Sequence, residues 1–147
     1  MSRRTPSDSF RNERGANLVE MAIVLPFLLL LLAGVIDLGR AFYTYLSLTN
    51  AVREGARFAA KLPYQDNEDA IVELVIARVR EEPMQSVPAD AIIVEKPIQG
   101  LGGPKGSPVT VRANLLFDPI LGPFIGRETI TITTEATMRI FGVDGVE

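Results

Sequence analysis

Residues 21–36 read MAIVLPFLLLLLAGVI, with no charge and no polar face. Extending back to Leu18 admits one acid, Glu20, and makes a span of 19 residues. At ~1.5 Å per residue the span is about 28 Å long, close to the ~30 Å hydrocarbon core of a bilayer. A soluble helix of this length shows a polar side, so the pattern predicts a membrane-spanning helix. Pro26 interrupts it; a proline has no N–H to offer the Ala22 carbonyl, which predicts a kink that membrane helices tolerate.

Helical periodicity continues beyond the apolar block. Leu38, Phe42, Tyr45, Leu48 or Thr49, Val52, Ala56 and Ala59 recur every three or four positions, with Arg40, Thr44, Ser47, Asn50, Arg53, Glu54, Arg57 and Lys61 between them. Pro63 stops the pattern near Leu62. One helix over residues 16–62 would be about 70 Å long, half anchor and half amphipathic stalk. A second helix is predicted over residues 68–82, capped by Asp66 or Asn67 and ended by Pro83. Its core face would be Ile71, Leu74, Val75 and Val79, with Ile76 as a further candidate.

From there the period changes to two. Residues 91–95, 109–117 and 129–141 predict three strands. GLGGPKGSP joins the first two as a loop or wide hairpin, and DPILGPFIG, with apolar Ile120, Leu121, Phe124 and Ile125, joins the last two. Three strands with one apolar face need a cover, and the stalk helix can supply it. The chain thus divides into a basic leader (1–15), a transmembrane and stalk helix (16–62) and an α+β domain (63–147).

Charge orients this arrangement. Residues 1–15 are polar, contain Pro6 and read as disordered; Arg3, Arg4, Arg11 and Arg14 stand there against Asp8 and Glu13. The other 132 residues hold 11 basic and 16 acidic side chains. A basic flank before an apolar helix stays in the cytoplasm, so these arginines are topology determinants and the domain is expected on the extracytoplasmic side of the membrane. An acidic outer domain without a basic stripe argues against nucleic acid as a partner. The chain has no Cys and no His, which removes the usual nucleophiles, general bases and zinc ligands. No enzyme activity, cofactor, metal or small-molecule substrate is expected.

The junction Arg14–Gly15–Ala16–Asn17–Leu18–Val19–Glu20 holds the candidate chemistry. An acid inside an apolar helix costs about 2.5–3.5 kcal/mol at the bilayer centre and less at its edge, unless a cation meets it. Cleavage after Gly15 would create an ammonium on Ala16, with a reference pKa of about 7.7–8. That ammonium would sit at the positive end of a helix dipole and also need a partner. If subunits stack with a small axial offset, the Ala16 amine of one can meet Glu20 of the next, and each neutralises the other.

This spacing resembles the processing site of type IV pilins and pseudopilins, in which a prepilin peptidase cuts after glycine and glutamate is the fifth mature residue. More fully, RGANLVEMAIVLPFLLLLLAGVIDLGRAFYTYLSLTNAVREGARFAA (residues 14–60) resembles the N-terminal signature of the TadE-like family of tight-adherence (Tad/Flp) pilus assembly proteins. The stretch from VTVRANLLFDPILGPFIG to ITTEATMRI is similar, less specifically, to that family's C-terminal strand–loop–strand. The resemblance implies a pilin-like α+β fold: a long N-terminal membrane-spanning helix packed on a small three-stranded antiparallel sheet, with one additional short helix. It implies a minor pseudopilin, with Gly15 and Ala16 flanking the cleaved bond and Glu20 as the assembly carboxylate. The implied partners are the lipid bilayer, the prepilin peptidase and other pilin and pseudopilin subunits of the Tad system. Major pilins often begin with an aromatic residue and Tad pilins follow the glutamate with Tyr or Phe; Ala16 and Met21 stand here instead, which favours a minor subunit. The competing expectation is an uncleaved, single-pass envelope protein whose outer domain binds a partner.

Other features read as structural. Asp37 and Arg40 are expected as interfacial anchors with an i,i+3 pairing available. Gly34, Gly39, Ala41, Ala51, Gly55 and Ala56 could allow close helix packing between subunits; Gly55 and Ala56 could equally admit the protein's own sheet. Arg53–Glu54–Gly55–Ala56–Arg57 reads as a structural element with a Glu54–Arg57 pair. GLGGPKG lacks the spacing and the Lys–Ser/Thr ending of a phosphate loop.

Overall fold

A computed structural model describes residues 9–62, 68–81, 91–96 and 98–141. Its elements are helix α1 (Ser9–Ala59), helix α2 (Glu68–Glu81), strand β1 (Ile92–Val94), strand β2 (Pro108–Phe117), the single-turn helix α3 (Gly122–Ile125) and strand β3 (Ile130–Arg139). The arrangement is the expected pilin-like α+β one, a long N-terminal apolar helix packed on a three-stranded antiparallel sheet with a further helix beside it.

Helix α1 is 51 residues long, about 77 Å. It begins seven residues before Ala16, so residues 9–15 are helical where a disordered leader is expected. Extending an existing helix backwards fixes one residue per hydrogen bond and needs no new nucleus, so even a polar flank can propagate it. The helix runs unbroken through Pro26. At its other end the chain tightens: the Lys61 and Leu62 N–H groups donate to the Phe58 and Ala59 carbonyls, three residues back, at 3.0 and 3.3 Å. The expected cap at Asp66 or Asn67 and the stop at Pro63 and Pro83 lie outside the described residues.

The stalk half of α1 covers the sheet, burying Leu48, Ala51, Val52, Ala56 and Ala59 against Val109, Val111, Ala113 and Leu115 of β2 and Ile92 of β1. β2 alternates buried and open positions along its length, as period two requires. Its partners are in antiparallel register, Ile92 opposite Leu115 and Val111 opposite Ala136. The outer face of the sheet is polar, with Thr110 paired to Thr137 at 2.8 Å and Arg112 Nε donating to Glu135 at 3.0 Å. The glycine-rich connection is a wide hairpin pinned by Gly106 N–H to Ile140 O (2.8 Å) and Ile140 N–H to Ser107 O (2.9 Å).

Helix α2 lies against α1 through Ile71, Val75, Ile76 and Val79. Leu74, expected on the core face, is 53% exposed. At ~100° per residue the stripe through residues 71, 75 and 79 is centred on Val75, with positions 74 and 76 equally far to either side; α2 packs with Ile76 turned into the core and Leu74 left out.

Three ties set how the sheet lies along α1. At one end Phe141 N–H donates to Ala60 O at 3.1 Å. Midway, the Thr49 and Thr134 hydroxyls meet at 3.2 Å. At the other end Asp37 holds the β2–β3 connection. That connection therefore lies beside the end of the apolar span, and the glycine-rich hairpin lies at the opposite end of the domain.

Candidate functional site

Gly15, Ala16 and Glu20 all fall on the helical turns that lead into the apolar span, and all three are exposed. A methyl group placed on Gly15 would meet nothing within 4 Å. Ala16 and Glu20 are four residues apart, so they lie one above the other on one face, about 6 Å apart along the axis. Among the described residues Glu20 has neither a hydrogen bond nor an ion pair. Its carboxylate stands open on the helix surface. Arg11 and Arg14 are on the same helix; Arg3 and Arg4 lie outside the described residues.

Beyond this junction the most apolar part of the helix is uncovered. The most apolar window has a mean hydropathy of 2.6 and none of it is buried. Among the described residues one helix is thus long and apolar enough to cross a membrane, and the side chains of its most apolar window are not buried by the rest of the protein.

At the far end of the span, the structure brings together residues that the sequence keeps apart. Asp37 is the last position before the stalk, and its side chain is largely buried. Oδ1 accepts the Ile120 N–H and Oδ2 the Leu121 N–H, both at 2.8 Å. The expected pairing with Arg40 is present at 3.4 Å, and the guanidinium lies 5.2 Å from the centre of the Phe117 ring. Leu121 reaches down beside Gly34, where a Cβ would stand 3.5 Å from its Cδ1. The turn is closed by Gly126 at φ +68°, the left-handed region that glycine enters without strain, and by Arg127 N–H donating to Gly122 O at 3.0 Å. Asp37 is therefore a clamp as well as an edge residue. Its partners are more than 80 positions away, beyond the reach of any local pattern.

The Arg53–Arg57 stretch joins the two helices. Glu54 accepts from Arg78 of α2 at 3.0 Å and stands 3.9 Å from Arg57. Arg78 also reaches Glu81 at 2.8 Å, and its hydrogen bonds to Glu54 and Glu81 raise its pKa above the usual value for arginine. Gly55 lets α2 approach; a methyl there would overlap the Val79 Cγ2. Gly55 is expected to admit either another subunit or the protein's own sheet; within this chain the element it admits is α2. Among the described residues no group of three acidic side chains is placed to hold a metal ion.

A search of the curated proteins finds no match, and none is found among solved structures. A family model does match, over under a third of the chain and ending before the sheet begins. From the glycine of the junction to the arginine that pairs with Glu54, residues 15–57, this chain matches the family described as TadE-like protein.

Proposed function

We propose that this chain is a minor pseudopilin of a Tad/Flp-type (type IVb) pilus, anchored in the bacterial inner membrane by residues 18–36 and processed after Gly15 by a prepilin peptidase. The role is structural and not catalytic. Its N-terminus is cytoplasmic, its α+β domain extracytoplasmic, and its partners are other pilin and pseudopilin subunits. The observation that carries this reading is Glu20, one turn beyond Ala16 and without a partner among the described residues, on a helix whose most apolar window is left uncovered. A bare apolar helix suits two environments in turn, first lipid and then a bundle of similar helices. A single unmatched acid near its start sets the axial register of that bundle, because it is neutralised only where an ammonium stands opposite. The match over residues 15–57 supports the assignment to pilus assembly.

Intact-mass measurement of the protein from wild-type membranes tests the processing step. A chain beginning at Ala16 is expected; a chain still beginning at Met1 or Ser2 would leave the uncleaved envelope protein as the better account. Glu20→Ala tests assembly separately. The variant is expected to insert normally, since it removes a charge from an apolar helix, while its co-purification with pilin subunits falls sharply. Unchanged association would remove Glu20 from the mechanism.

A further inference from the structure

The connection between β2 and β3 is a second place where large apolar side chains cluster in the open. Residues 119–126 (PILGPFIG) carry no charge and are bounded by Asp118 on one side and Arg127 and Glu128 on the other. Ile120, Phe124 and Ile125 are 51%, 76% and 58% exposed. A loop in water would not ordinarily present three large apolar side chains in six residues at its tip.

Its position supplies the reason. The Asp37 clamp and the Leu121–Gly34 contact hold the loop against the last turn of the apolar span. When residues 18–36 fill the hydrocarbon core, that turn is at the membrane surface. The loop cannot then stand clear of the bilayer. Exposed Leu38 and Phe42 on α1 extend the same apolar zone, and Arg40 beside them is placed to reach headgroup phosphates while its stem stays apolar.

We propose that the β2–β3 loop is a second membrane contact, with Ile120, Phe124 and Ile125 inserted among the lipids of the leaflet from which α1 emerges. The occupant of this apolar surface is lipid, because the surface is continuous with the span and level with its end. The proposal rests on the reading of residues 18–36 as bilayer-spanning. Two points of attachment, helix and loop, would fix the tilt and rotation of the domain over the membrane, which a single helix leaves free.

The absence of tryptophan from the chain allows a direct test. Phe124→Trp, Leu29→Trp and Thr137→Trp are made singly in the full chain and reconstituted in phosphatidylcholine–phosphatidylglycerol vesicles. The vesicles contain lipids brominated at shallow or deep acyl positions. Thr137 lies on the outer face of β3 opposite Thr110, about 24 Å along β2 from Phe117, and serves as the distant control. Phe124→Trp is expected to emit at shorter wavelength than Thr137→Trp and to lose several-fold intensity to shallow bromines, while Leu29→Trp is quenched by deep ones and Thr137→Trp by neither. Quenching of Leu29→Trp alone would overturn the loop contact and leave the span standing. Blue-shifted emission from Phe124→Trp that bromolipid does not quench would mean that protein covers the loop, and would also overturn it. Loss of quenching at Leu29→Trp would overturn both readings.

Discussion

Asp37→Ala is expected to free the β2–β3 loop from α1 and to lower stability by roughly 3 kcal/mol. The carboxylate takes two backbone N–H groups, Ile120 and Leu121, at 2.8 Å each, and hydrogen bonds to a charged group contribute about 1.5–3 kcal/mol apiece. Two such bonds come to about 3–6 kcal/mol, and water that reaches the freed loop amides keeps the loss near the lower end. Arg40 adds little to the loss, because its side chain is half exposed and water can take the place of the carboxylate. Asp37→Asn retains one carbonyl oxygen and is expected to show about half the effect. Hydrogen exchange at the Ile120 and Leu121 amides, measured in lipid nanodiscs, reads the clamp directly. Both should lose protection in Asp37→Ala while Val111 and Ala113, in the middle of β2, keep theirs. Unaltered protection at 120 and 121 would show that the loop is held by its own turn.

Gly55 and Gly39 should respond to the same substitution with opposite signs. Alanine in place of glycine favours a helix by up to ~1 kcal/mol, and at Gly39 nothing lies within 4 Å of the added methyl, so Gly39→Ala should be slightly stabilising. At Gly55 the methyl overlaps the Val79 Cγ2 and stands 3.8 Å from the Val75 carbonyl oxygen. Val79 is β-branched, confined in a helix to essentially one rotamer and fully buried, so it cannot turn aside. Overpacking costs about 1–3 kcal/mol and outweighs the propensity gain, leaving Gly55→Ala destabilised by about 1–2 kcal/mol. Gly55→Leu should be worse again, separating α2 from α1. Thermal unfolding of the three variants in one detergent decides the matter; equal shifts for Gly39→Ala and Gly55→Ala would mean that α2 does not pack where the structure has it.

The periodic elements were legible in the chain because each is dictated by its own residues. A 16-residue uncharged run can be satisfied only as a helix in an apolar medium, and alternation over ten residues can be satisfied only as a strand with one buried face. The observed strands differ from the expected ones by a residue or two at their ends. Where the sequence misled, the error was in direction. Leu74 was assigned to the core because it is apolar at a compatible spacing, yet α2 packs on the side that buries Ile76 and leaves Leu74 exposed. Residues 9–15 were read from composition as disordered, and composition says little about a helix that is extended from a stable neighbour.

The candidate site divides along the same line. The Gly15–Glu20 spacing is a one-dimensional feature, and the structure adds only that the residues share an exposed helical face. The Asp37 clamp, the purpose of Gly55 and the membrane-side position of residues 119–126 were not legible, since each depends on partners far along the chain. By itself, the sequence determined that this protein has one apolar helix with an acid near its start, and that a stalk, a second helix and three strands follow. Only the tertiary structure decided which end of the sheet lies beside the apolar span. A hydrophobic period states which side chains must leave water, but not which surface will receive them; that was settled by the ties at Asp37, Thr49 and Ala60, which fix the sheet along the helix and bring its apolar loop to the end of the apolar span.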